Sequence, residues 1–181
     1  MARRIGIFSG TFDPVHQGHI AFCLEALRIC KLDEIFLMPE QTPRGKQQVT
    51  PLPQRMALLQ EVIARHPALH TLVLDTRQFT VRHTLPELQH RFKGDELTLL
   101  IGSDVAHTLL HRWDGLKTLL TQVSLAIGVR QGDTQTAMRD LMQQVGHDYD
   151  VPVRHTLIQS PLAGLSSSQI RQQAPISSHD R

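Results

Sequence analysis

Aromatic residues are scarce in this chain: one Trp, one Tyr and six Phe amount to 4% of 181 residues. Nucleic-acid modules concentrate basic charge and interleave it with stacking aromatics. Here 19 Lys and Arg face 17 Asp and Glu, a net charge of only +2, so the composition argues against a nucleic-acid partner. The pI near 8.8 does not change this, because close to charge balance a few groups move it a long way. Long apolar runs are also missing. None approaches the roughly 18 residues that a bilayer span requires, so no membrane is expected as a partner. The opening MARRIGIFSG places two arginines before an apolar run, but that run is too short for a secretory signal, and Asp13 and His16 follow at once. Cysteine is limited to Cys23 and Cys30, on one run of helical period. Their spacing puts them about 10 Å apart on a helix, too far to bridge. Both are expected as buried apolar filler in a reducing cytoplasm. What the chain has in unusual number is histidine, 11 residues, whose titration near neutrality suits it to chemistry.

The length fits one domain with its own core, expected over 1–173, ahead of a polar, frayed tail over 174–181 that contains Pro175. Short apolar runs rich in branched residues alternate with segments of helical period. Arg4–Phe8, Glu34–Met38, Thr71–Asp75, Leu97–Ile101 and Ser124–Val129 read as five buried strands. Helices are expected over Gly18–Cys30, with Ile20, Leu24 and Leu27 on its inner face, and over Leu52–His66, with Met56, Leu59, Val62 and Ile63 as its stripe. Further helices are expected over Thr84–Phe92, Val105–Leu110, Leu116–Leu120 and Thr134–Gly146. Such alternation implies an α/β fold: an open parallel sheet, right-handed crossovers, and helices on both faces.

In an open α/β sheet, ligands bind outside the carboxyl ends of the strands, where strand order reverses. The first strand runs into Ser9-Gly10-Thr11-Phe12-Asp13-Pro14-Val15-His16-Gln17-Gly18-His19, the most informative segment of the chain. A glycine after a strand lets backbone amides approach a phosphate closely. His16 and His19, three apart at a helix start, share a face near its positive end, and together with free amides they make a pocket for a polyphosphate. Spacing alone leaves two alternatives open. One is a structural helix start; the other is a metal site that includes Asp13, although the zinc-protease spacing and its Glu are absent.

The run Gly10–His19 resembles GTFDPVHxGH, the signature of the HxGH nucleotidyltransferase superfamily. Leu165-Ser166-Ser167-Ser168-Gln169-Ile170-Arg171 is similar to the same superfamily's ISSTxIR motif. Within it, the chain resembles the bacterial nicotinate mononucleotide adenylyltransferases. Ile101-Gly102-Ser103-Asp104 is similar to their strand-end IIGxD, and Arg130-Gln131-Gly132, after Trp113, to their RPG turn. The resemblance implies a Rossmann-like fold. It also implies an adenylyl transfer, in which a mononucleotide phosphate attacks the α-phosphorus of ATP, leaving a dinucleotide and pyrophosphate.

By that resemblance Gly10, Thr11, Phe12, His16, His19, Gly102, Asp104, Ser166, Ser167 and Arg171 would bind ATP. His16, His19 and Arg171 would be catalytic, with His19 nearest the developing charge. Asp104 would contact the ribose and Trp113 would stack on the pyridine ring. Lys46, Thr84, Trp113 and Arg130 would bind the acceptor, and Mg²⁺ would enter on the ATP phosphates without a cluster of protein ligands. The departures gather in the acceptor half. Pro43-Arg44-Gly45-Lys46 stands where the family has PPHK, and Phe79-Thr80-Val81 where it has SYT. One residue is extra between Asp104 and Trp113, Leu116 replaces a second usual aromatic, and the helix that the family carries after ISSTxIR is not expected here. Two other acceptors therefore stay open, nicotinamide mononucleotide and phosphopantetheine, as does a non-catalytic nucleotide binder on the same fold.

Overall fold

The computed structural model describes residues 2–42, 48–109 and 113–159. Six strands form one parallel sheet: β1 (Arg4–Gly10), β2 (Glu34–Pro39), β3 (Leu69–Thr71), β4 (Glu96–Gly102), β5 (Ser124–Val129) and β6 (His155–Gln159). Their spatial order is β3-β2-β1-β4-β5-β6. Among the described residues the helices are α1 (Gln17–Ile29), α2 (Leu52–Ile63), α3 (Val81–Arg91), α4 (Ser103–Ala106), α5 (Leu116–Gln122) and α6 (Gln135–Tyr149). This is the open parallel α/β sheet expected from the alternation, in the Rossmann-like form that the resemblance implies.

Side chains alternate across the sheet as the pleat requires. Ile5 and Ile7 of β1, Leu97, Leu99 and Ile101 of β4, and Leu125, Ile127 and Val129 of β5 face one core, against α3, α5 and α6. Ile35 and Leu37 of β2, with Leu100, Ala126 and Ile158, face a second core against α1 and α2. Both faces are therefore covered, which is why the central strands read as nearly continuous apolar runs. Gly128 belongs to this close packing: a Cβ there would lie 3.0 Å from the Phe22 ring.

The chain winds outward through β1, β2 and β3, then crosses back to lay β4 on the other side of β1. The order therefore reverses between β1 and β4, and their carboxyl ends, Gly10 and Gly102, flank the switch point.

Three sequence expectations are corrected. The third strand is Leu69–Thr71, not Thr71–Asp75. It pairs only with Ile35–Leu37, after which Leu72 and Leu74 stay buried without a ladder of their own. A sixth strand, His155–Gln159, went unrecognised because only Ile158 is fully buried along it, so its sequence lacks an apolar run. On α1 the buried stripe is Ile20, Cys23 and Ala26, with Phe22 beside it, while Leu24 is 40% exposed. Among the described residues no helix is long and apolar enough to cross a membrane. Cys23 and Cys30 are both free and buried, and burial raises both thiols above their ordinary range.

Candidate active site

The turn from β1 into α1 is built by residues that serve both fold and site. Phe12 is 1% exposed and sits at φ 49°, a left-handed backbone seldom adopted by a bulky side chain. Its ring packs edge-on against Phe8 at 5.3 Å and against His19 at 5.1 Å. Gly10 leaves room for this arrangement, since a Cβ there would lie 3.2 Å from the Phe12 ring. His16 is the N-cap of α1, in extended backbone. Its N–H donates to Nδ1 of His19 at 3.2 Å, and the two rings stack with centroids 3.7 Å apart. His16 and His19 therefore act as one unit at the helix start, where free amides and the helix dipole attract anions.

Burial, and then the nearby Arg130 guanidinium, push the His16 imidazole below its ordinary value, and among the described residues its buried Nδ1 meets no hydrogen-bond partner. Both effects favour the neutral imidazole in the free protein. Because its folded value lies below its unfolded one, this residue's contribution to stability is complete above pH 6.5 and declines as the pH falls from there toward the folded value.

Across the switch point, Gly102 ends β4 and Asp104 lies in the first turn of α4. Asp104 pairs with Arg130, beyond β5, at 3.2 Å. A Cβ at Gly102 would press on both partners, reaching 3.1 Å from Nε of Arg130. The Arg130 turn is fastened from below. The Arg130 N–H donates to the buried Ser103 Oγ at 3.2 Å, and Asp133 accepts from Ser103 and from Nε2 of His107, the latter at 2.9 Å. Those two hydrogen bonds, Ser103's first, hold the Asp133 carboxyl below the usual carboxylate range.

On the β2 side, Trp113 is half-buried, donates from Nε1 to Thr108 Oγ1 at 3.1 Å, and tilts against Phe79 at 5.7 Å. Glu40 follows β2 and accepts the Phe79 N–H at 3.1 Å. Thr84 is fully buried. Its hydroxyl accepts from the Thr80 N–H at 2.9 Å, so it shapes the 78–80 turn from within the fold. Lys46, Ser166, Ser167 and Arg171 lie outside the described residues.

Sequence reasoning passed over Arg55, Glu40 and the Ser103–Asp133–His107 set. Only Arg55 left a trace. It sits one helical turn before Leu59, in line with the apolar stripe of α2, where a charged residue is out of place.

Paired histidines and an Asp–Arg pair stand at the switch point of an open parallel α/β sheet, where such folds bind their ligands. The chain belongs to the cytidylyltransferase-like family, whose model matches residues 7–173. It is 30% identical over 174 residues to a probable nicotinate-nucleotide adenylyltransferase of Geobacillus kaustophilus, covering 93% of this chain and 74% of that protein. It is 34% identical over 134 residues to the nicotinate-nucleotide adenylyltransferase of Bacillus subtilis, covering 71% of this chain and 70% of that one. In solved structures the fold is matched by the nicotinic acid mononucleotide adenylyltransferase of Plasmodium falciparum, complexed with NaAD. The TM-score is 0.73 at 17% identity, over 94% of this chain and 83% of that one.

Proposed function

We propose that the protein transfers AMP from ATP to nicotinate mononucleotide, giving deamido-NAD and pyrophosphate, a step of NAD biosynthesis. The observation that carries this reading is the similarity to nicotinate-nucleotide adenylyltransferases across 93% of the chain, together with the paired histidines at the switch point. The acceptor phosphate is already an anion, so the reaction needs no general base. What remains is alignment, and stabilisation of charge building on the transferred phosphoryl group and on the leaving pyrophosphate. His16, His19 and the amides of Gly10, Thr11 and Phe12 supply donors for this on the β1 side. Asp104 and Arg130 face them across the switch point, and Trp113 offers a flat apolar surface to the acceptor's ring. Ser166, Ser167 and Arg171 complete the phosphate set in this reading, with Lys46 on the acceptor phosphate. ATP enters as its Mg²⁺ complex, the ion held by substrate phosphates.

The test is a panel of acceptors given with ATP and Mg²⁺, with pyrophosphate release as the readout. Nicotinate mononucleotide should turn over best and yield the dinucleotide. Turnover with nicotinamide mononucleotide or phosphopantetheine, and none with nicotinate mononucleotide, would replace this acceptor. ATP binding without turnover of any acceptor would make the protein a nucleotide binder.

A pH effect follows from His16. A bound triphosphate places negative charge beside a ring whose neutral form burial and Arg130 favour, and so raises its proton affinity. ATP binding should therefore take up protons, and affinity should strengthen as the pH falls from about 8 to about 6. Calorimetry in buffers of different ionisation enthalpy measures the uptake. The part due to the ring is the part lost in His16→Gln; equal uptake in both proteins would clear His16 of the effect.

A further inference from the structure

Arg55 is 2% exposed, yet no part of the reaction described above uses it. All three guanidinium nitrogens donate to backbone carbonyls. Nη1 reaches Thr11 at 2.6 Å, Nε reaches Thr50 at 2.7 Å, and Nη2 reaches Glu40 at 2.9 Å and Gln41 at 3.5 Å. These carbonyls belong to two connections, the β1–α1 turn and the long segment between β2 and α2. The buried Asp13 joins them from the other side, its Oδ2 accepting the Thr50 N–H at 3.2 Å. Burial pulls the guanidinium below its ordinary value, while Asp13 and Glu40 pull it back up.

A buried charge is weak as a source of stability, since an apolar residue of similar volume often does as well or better. The fork geometry does what an apolar residue cannot: it sets several carbonyls at fixed positions at once. One of them is the carbonyl of Thr11, within the turn whose amides and histidines meet the nucleotide. We propose that Arg55 is a positioning residue, whose buried guanidinium clamps the phosphate-binding turn at Thr11 to the β2 exit at Glu40 and Gln41 before the nucleotide arrives. The inference rests on the assignment of that turn to ATP.

The variants are Arg55→Met and Arg55→Lys, with Leu59→Ala as control. Leu59 lies one turn further along α2 and is fully buried, so its truncation loosens the fold without touching the clamp. Two quantities are read: amide hydrogen exchange of residues 10–16 in the free protein, and kcat with KM for ATP. In R55M, exchange in 10–16 should rise about tenfold or more while β1 and β4 stay protected. Its kcat should fall by about 10–100-fold, with KM changing less, because the donors are present but misplaced. R55K keeps the charge and loses the fork, so it should loosen the turn too, and it carries the test if R55M does not fold. L59A should lower Tm but leave turn exchange and kcat within about twofold.

Exchange in 10–16 unchanged in the Arg55 variants, or the same loosening and kcat loss in L59A, would overturn the clamp. The exchange readout needs no substrate. A loosened turn in a protein that turns over no acceptor would therefore support the clamp and remove only the proposed reaction.

Discussion

Replacing His19 by Ala should lower kcat for dinucleotide formation by about 10²–10³, read as pyrophosphate release under saturating ATP and nicotinate mononucleotide. The ring has two jobs that must be separated. Its Nδ1 accepts the His16 N–H at 3.2 Å and so helps to begin α1. In the proposed reaction its Nε2 would donate toward phosphate oxygens. His19→Asn tells the jobs apart, because an Asn carbonyl oxygen can take over the acceptor near Nδ1 while Nε2 is gone. H19N should recover the modest stability lost in H19A, about 0.5–2 kcal/mol for a helix cap, and keep most of the loss in kcat. Recovery of kcat to within about threefold of wild type in H19N would reduce the ring to a cap. Charge that develops only in the transition state explains the size of the expected loss, and why it should fall on kcat more than on KM for ATP.

Phe12→Ala should cost about 3–5 kcal/mol of unfolding free energy in urea titrations, the range for deleting a buried Phe ring. The ring is 1% exposed and stands edge-on to both Phe8 and His19, so its loss removes contacts shared by the second core and the site. The backbone adds a feature of its own. At φ 49° an alanine keeps the steric cost of a Cβ in the left-handed region, and a glycine does not. Phe12→Gly should therefore be as stable as F12A or more so, by up to about 1 kcal/mol, the reverse of the usual order. Alanine ahead of glycine by a clear margin would mean that the turn does not hold this conformation in solution. Both variants should lose activity beyond their loss of stability, because the His19 ring loses the wall it leans on.

Much of this site was legible along the chain. The segment Gly10–His19 carried its meaning locally, since the amides, the histidines and the helix start are neighbours in sequence and the preceding strand is a plain apolar run. The pairing of His16 with His19 needed only helical spacing. The stripe of α1 was misjudged at Leu24 because a helix covered on one side buries a face narrower than its apolar content suggests. Thr84 matched a motif position, but whether its hydroxyl faces a ligand or the Thr80 amide depends on how α3 seats on the sheet. Arg55 was hidden for the opposite reason. Its partners are carbonyls, which every residue has, so no side-chain pattern announces them.

The alternation of apolar strands and helical segments, the closeness of the charge balance and the turn after β1 were all set by local order along the chain, because period and spacing act over a few residues. The reversal between β1 and β4, the meeting of Asp104 with Arg130, the Ser103–Asp133–His107 fastening and the clamp at Thr11 were decided only in the folded molecule. Each joins groups far apart in sequence, from 26 positions for Asp104 and Arg130 to 92 for Arg4 and Glu96. Such contacts form only when a sheet brings the carboxyl ends of its strands to one edge.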